Sequence, residues 1–300
     1  MGFGRRVVTG PEGVSSDGPS SFTFDAPDGS VSELLWLEGP VRTVADGVDR
    51  TDAGYPLEPP AGGASSRIIR LPPTGDWLRV DGDDETAPGM HVTDTLDLMV
   101  VLEGEIVLGM PDGSETVVRT GDAVVQRGTA HRWRIVGDGP CTYWVTMLRP
   151  VADAEPVALA PRGGDYGRRL VTGGDTVVEQ PASVGIGAVY DVWQTGGPLA
   201  SVTQGGDPDE PWRLETPAGS VALRLVELPP GGPTEAGWHA TPTIDIDVVI
   251  SGRLGLELPG GVTVELDPGD AVVQRGTNHR WWAVGDEPVR WAAVMFALAE

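Results

Sequence analysis

The chain has four histidines, His91, His131, His239 and His279, and they fall as two pairs, each 40 residues apart. Six residues after the first member of each pair stands an aspartate, Asp97 or Asp245. Two imidazoles and one carboxylate, with positions left open, form the ligand set that suits Fe(II), with Mn(II), Ni(II) or Zn(II) as alternatives. The competing reading has no ion: the aspartate orients a neutral histidine in a degenerate pocket. Straight strand over six residues rises about 20 Å, against metal–ligand bonds of about 2 Å. The chain must therefore turn between His91 and Asp97. Thr93-Asp94-Thr95 and Thr241-Pro242-Thr243 supply turn material, and a hairpin is expected there.

The elements that position these residues come as a repeat. Gly121 to Trp133 reads GDAVVQRGTAHRW and Gly269 to Trp281 reads GDAVVQRGTNHRW, differing at one of thirteen positions. The same offset carries His91 to His239, Asp97 to Asp245, Gly104 to Gly252 and His131 to His279. Upstream, Gly4–Gly10 matches Gly167–Gly173, and Leu71-Pro72-Pro73 matches Leu228-Pro229-Pro230. Self-similarity over nearly the whole chain means two copies of one unit. The Pro- and Gly-rich stretch between them reads as a linker, giving domains 1–150 and 166–300 with a linker at 151–165.

Within each copy, short runs of Val, Ile, Leu, Thr and Trp alternate with turn signals, and no long segment shows the 3.6-residue period of a helix. Pro111-Asp112-Gly113, Pro259-Gly260-Gly261, Gly137-Asp138-Gly139 and Gly285-Asp286-Glu287 are read as hairpin turns. The fold class is all-β, two small antiparallel barrels or sandwiches. Counting by twos along the strand puts Trp133 and Ile135, or Trp281 and Ala283, on the face of the preceding histidine.

His91-x-Thr93-x3-Asp97-x6-Gly104 resembles the first cupin motif, and Gly121 to His131 is similar to the second. The resemblance implies two tandem cupin jelly-roll barrels packed as a pseudo-dimer. It also implies metal ligands at His91, Asp97 and His131 and at His239, Asp245 and His279. The sequence departs from the family pattern in several places. Thr93 and Thr241 stand where a second histidine would be, aspartate replaces glutamate, Arg127 and Arg275 fall near the usual proline, and Ile135 and Ala283 replace the final asparagine. The wording VQRGTxHRW with HxTxTxD upstream is similar to small cupins among catabolic and polyketide-related enzymes.

Composition narrows the partners. Forty-four acidic residues against 21 basic ones give a net charge of −23, which repels phosphate backbones and anionic headgroups and argues against nucleic-acid or membrane partners. Every basic residue is arginine, so no lysine Schiff base can form. One cysteine, Cys141, permits no intramolecular disulfide, and MGFGRRVVTG lacks a secretory apolar run. A cytoplasmic small-molecule protein is expected, as a monomer with an internal pseudo-dimer or as a homodimer.

The copies differ at one position that bears on chemistry: Met99 becomes Asp247, on the face of Asp245. Paired carboxylates in a low-dielectric site cannot both ionise easily, so one can serve as an acid. Asp245, Asp247 and Trp281 are the candidate catalytic residues, and the solvated barrel mouth is the competing place for Asp247. The expected function is a metal-dependent enzyme acting on an aromatic or β-keto substrate by oxygenation, decarboxylation or cyclisation. The alternative is a non-catalytic binding protein.

Overall fold

β-Branched and aliphatic runs cut by glycine, proline and aspartate favour strands over helices, and the regular structure follows that composition. The computed structural model describes residues 5–10, 13–19, 22–26, 29–47, 56–80, 86–151, 166–173, 176–182, 185–186, 189–202, 204–206 and 213–300. Among these residues the regular elements are strands, apart from one short 3-10 turn at Glu235–Gly237. No helix among them is long and apolar enough to cross a membrane. The linker expected at 151–165 lies, from residue 152 on, outside the described residues.

Among the described residues the strands form two eight-stranded and two three-stranded sheets. The first large sheet runs in the order Thr176–Ala182, Tyr166–Gly173, Ala123–Arg127, Leu96–Glu103, Cys141–Leu148, Ala64–Leu71, Gly29–Leu37, Phe22–Ala26. Its small partner sheet is Arg132–Ile135, Glu105–Gly109, Glu115–Arg119. The second large sheet runs Gly185–Ile186, Val189–Gln194, Val221–Leu228, Val289–Ala297, Thr243–Ser251, Ala271–Arg275, Arg5–Gly10, Gly13–Pro19. Its partner is Val262–Leu266, Leu254–Leu258, Arg280–Ala283.

Each large sheet packs its inner face on its own small sheet. Met99, Val101 and Val124 join Ile106, Leu108 and Val118 in one core, and Val249 and Val272 join Leu254, Leu256 and Leu266 in the other. The outer faces of the two large sheets share a third core. Leu96, Leu98, Val100 and Leu102 meet Ile244, Ile246, Val248 and Ile250 there, in a cluster built from both halves. Because side chains alternate along a strand, Leu96–Glu103 and Thr243–Ser251 are buried on both faces. One face lines a barrel and the other seals the seam. The all-β, paired-barrel architecture is thus present.

The halves also exchange strands. Arg5–Gly10 lies parallel to Ala271–Arg275 of the second half, pairing Arg6, Val7 and Val8 with Ala271, Val272 and Val273. Tyr166–Gly173 lies parallel to Ala123–Arg127 of the first, pairing Arg169, Leu170 and Val171 with Ala123, Val124 and Val125. Val7 accordingly sits in the core of the second barrel and Leu170 in that of the first.

Two of the expected turns close hairpins: Gly113 (φ 85°) joins Glu105–Gly109 to Glu115–Arg119, and Gly260 and Gly261 (φ 85° and 78°) join Leu254–Leu258 to Val262–Leu266. The other two do not. Gly137-Asp138-Gly139 and Gly285-Asp286-Glu287 carry the chain from the small sheet to the large one, so they are corners between sheets rather than hairpins.

Candidate functional site

Each histidine pair is set by a single isolated antiparallel bridge. His91 and His131 exchange both backbone hydrogen bonds at 2.9 and 3.0 Å, and His239 and His279 do so at 2.9 Å each. Directly opposed residues project side by side, and the rings of each pair lie with centroids 4.3 Å apart. The hairpin expected between His91 and Asp97 is not what brings them to one cavity. The chain only bends at Asp94-Thr95, and the strand partners of Asp97 are Gln126 and Met147.

All four rings are anchored alike. Nδ1 of His91, His131, His239 and His279 meets the carbonyl oxygen two residues earlier, on Gly89, Thr129, Gly237 and Thr277, at 2.9, 2.9, 2.9 and 2.7 Å. A carbonyl only accepts, so Nδ1 carries the proton and donates it, leaving the lone pair of the neutral ring on Nε2. That is how metal-binding histidines are oriented. Burial, then the neighbouring ring, pushes His131 and His279 down to about 3, so both are neutral bases at ordinary pH.

The aspartates are buried too, with Asp97 8%, Asp245 7% and Asp247 6% exposed. Oδ1 of Asp97 and of Asp245 has no hydrogen-bond partner. Thr241 Oγ1 donates to Asp245 Oδ2 at 3.3 Å. The threonine standing where the cupin motif has a second histidine therefore serves the carboxylate. Burial pushes Asp97 up to about 7, opposed by the Thr95 and Thr93 hydroxyls. It pushes Asp245 up to about 6, opposed by Thr243, Arg224 and Thr241.

Among the described residues no three His, Cys, Asp or Glu side chains converge closely enough to hold one ion. Of the three-residue sets His91, Asp97, His131 and His239, Asp245, His279, the fold brings together the two imidazoles. The anchored Nε2 pairs fit a divalent ion that takes two protein nitrogens and leaves its other positions to water or substrate.

Both pairs open onto cavities, of about 290 Å³ in the first barrel and about 390 Å³ in the second. Asp97 with Trp133 and Tyr143 lines the first; Asp245 and Asp247 with Trp281 and Trp291 line the second. The tryptophans following the histidines meet them edge-on, Trp133 at 5.5 Å from His131 and Trp281 at 5.2 Å from His279. Ile135 and Ala283 are buried in the barrel cores instead.

Asp247 is not at a solvated mouth: its Oδ1 accepts the Trp291 indole N–H at 3.1 Å. Burial, then the charge of Asp245, pushes it well above the carboxylate range. Cys141 is buried in the first barrel, and burial pushes its thiol up to about 12, so it is no nucleophile.

One pair of cavity residues escaped the sequence reading. Arg67 is buried against Glu33 at 3.2 Å and donates to the carbonyls of Leu57 and Pro56 at 2.9 and 3.0 Å. Arg224 is buried against Asp191 at 2.6 Å and donates to Leu214 and Arg213 at 2.7 and 2.9 Å. The signal was available: the register that carries Leu71 to Leu228 also carries Arg67 to Arg224.

The cupin domain family model matches residues 224–295. Oryzines biosynthesis cluster protein J of Aspergillus oryzae is 49% identical over 63 residues, 21% of this chain and 34% of that protein. The cupin-domain-containing oxidoreductase srdD of Neurospora crassa is 28% identical over 167 residues, 50% of this chain and 80% of that protein. Among solved structures, the formate complex of Lactobacillus farciminis oxalate decarboxylase aligns with a TM-score of 0.46 at 11% identity, covering 92% of this chain and 84% of that one. The chain thus spans about a third of the length of the Aspergillus relative.

Proposed function

Since the chain belongs to the cupin superfamily, we propose that it is an enzyme of small-molecule metabolism with one cavity in each of its two domains, 1–150 and 166–300. The observation that carries this reading is the common anchoring of all four histidines, which presents a pair of Nε2 lone pairs to each cavity. The names of the relatives, an oxidoreductase and a biosynthesis cluster protein, support an enzyme.

The ion best suited to such a site is Fe(II), with Mn(II), Ni(II) or Zn(II) as alternatives. Bound there, it would supply a Lewis acid or an oxygen-activating centre. The chain's own residues do the rest. The Nδ1–carbonyl bonds fix the rings, Trp133 and Trp281 offer a flat surface to an aromatic or β-keto substrate, and the buried aspartates hold or deliver protons within the cavity. Oxygenation, decarboxylation and cyclisation all use those parts.

The second reading, a small-molecule-binding cupin without turnover, is favoured by the absence of a three-residue ligand set among the described residues. Elemental analysis of protein purified without a metal-binding tag separates the two. The enzyme reading expects a divalent transition metal that the double variant His131→Ala/His279→Ala no longer holds. A folded wild-type chain that takes up none of Fe, Mn, Ni, Co or Zn sinks the metal-dependent reading.

A further inference from the structure

The two cavities keep the histidine pair and the motif aspartate in common and differ in an additional carboxyl group. In the second barrel, Asp245 and Asp247 lie on one face of Thr243–Ser251, both more than nine-tenths buried. Neither forms an ion pair among the described residues, and Asp245 Oδ1 has no partner at all. Among the described residues the cation lining that cavity is Arg224, whose guanidinium is already engaged by Asp191 at 2.6 Å and by two backbone carbonyls. Two carboxylates thus share a pocket whose own cation is committed elsewhere.

Two further lining residues are indoles. Trp281 and Trp291 lie with ring centroids 6.0 Å apart and tilted by 44°, and the Trp291 N–H fixes Asp247. In the first barrel the acid and its indole are replaced together, by Met99 and Tyr143, while Asp97 and Trp133 are retained. The extra carboxyl group and the aromatic that holds it are therefore a joint feature of the second cavity.

A buried carboxyl group without a partner can form a strong charge-assisted hydrogen bond to an entering ammonium, and tryptophan faces attract ammonium groups through the ring quadrupole. We propose that the second cavity is a binding site for an organic ammonium, an amine-bearing small molecule. The inference rests on the reading of both cavities as small-molecule sites and names the ligand class of one of them.

The test uses the full chain, stripped of metal by chelation, and three probes of similar size: phenethylamine, 2-phenylethanol and 3-phenylpropanoate. Calorimetry is expected to show one phenethylamine site per chain, at least about tenfold tighter than 2-phenylethanol, as a desolvated cation–carboxylate contact implies. Asp247→Asn should remove that preference. Installing the acid and its indole in the first barrel, with Met99→Asp and Tyr143→Trp, should raise the amine stoichiometry toward two. Equal affinity for amine and alcohol, tighter binding of the carboxylate, no binding of the amine, or an amine preference that survives Asp247→Asn overturns the proposal. Because binding is read without metal or turnover, amine binding in a chain that proves catalytically inert would keep the ligand class and remove the enzyme. Turnover of a neutral substrate with no amine preference would do the reverse.

Discussion

Arg224 meets Asp191 at 2.6 Å inside the second barrel at the place where Arg67 meets Glu33 at 3.2 Å inside the first. Each arginine spans from a central strand to the carbonyls of a loop over the cavity, so it ties that loop down. Removing one member leaves the other charge buried alone, which costs about 3 kcal/mol or more. Arg67→Met is expected to lower stability by that amount in urea denaturation, and Arg67→Met with Glu33→Leu to recover most of it. A single variant as stable as wild type would show that water reaches the pair.

The buried aspartates set a pH dependence with a definite sign. Asp97 moves from an ordinary 3.8 to about 7 on folding, so the folded state favours its protonated form. The stability this confers is fully present below about pH 4 and lost as pH rises through 7. His131 and His279, pushed down to about 3 from 6.5, act in the opposite window, and their stability is lost as pH falls below 6.5. In metal-free protein, Asp97→Asn cannot ionise and should gain on wild type between pH 4 and pH 8, by up to about 4 kcal/mol. Thermal melts across that range check it; parallel curves for variant and wild type would refute it.

The sequence made the β architecture and the histidine pairing legible because both leave short-range marks: alternating runs, turn residues, and motifs repeated at one offset. The strand exchange left none. Parallel pairing of Arg5–Gly10 with Ala271–Arg275 joins segments at opposite ends of the chain, and a strand buried on both faces shows no alternation to read. The repeated QRGT wording also held more than site chemistry. Arg275 donates to the carbonyls of Val44 and Asp46 in the other half at 3.0 and 2.7 Å. Gly276, at φ 61°, has no room for a Cβ, which would stand 2.9 Å from Val44. Gly128, at φ 60°, faces Val202 in the same way at 2.8 Å. That motif is kept in both copies as much by the seam as by the histidines, and a seam contact cannot be told from a site contact by spacing alone.

The exchange predicts how the chain behaves when cut. A fragment of residues 1–155 lacks Tyr166–Gly173, so Ala123–Arg127 becomes an open sheet edge, and the shared core is laid bare. Exposed edges and large apolar faces drive aggregation. That fragment should be poorly soluble alone and recover when co-expressed with residues 156–300. A soluble 1–155 monomer as stable as the whole chain would mean that the seam contributes little.

The last prediction concerns which cavity reacts. Both carry an anchored histidine pair, so ligation alone makes them equivalent. Proton supply does not. Asp247 sits beside Asp245 in the second barrel, is held by Trp291, and is pushed well above the carboxylate range by burial and by its neighbour's charge. With no cation beside it, such a buried carboxyl group holds a proton that it can give to a carbanion or a leaving group. Met99 has none to give. Once a substrate is found, His239→Ala should abolish turnover and His91→Ala should largely spare it, with both variants folded by circular dichroism. Asp247→Asn should lower kcat by about 10²-fold or more, the scale of a lost general acid, and flatten the alkaline limb of the pH–rate profile. Equal losses from the two histidine variants would mean two equivalent sites, and the reverse order would place the chemistry in the first barrel, with Asp247 left to ligand binding alone.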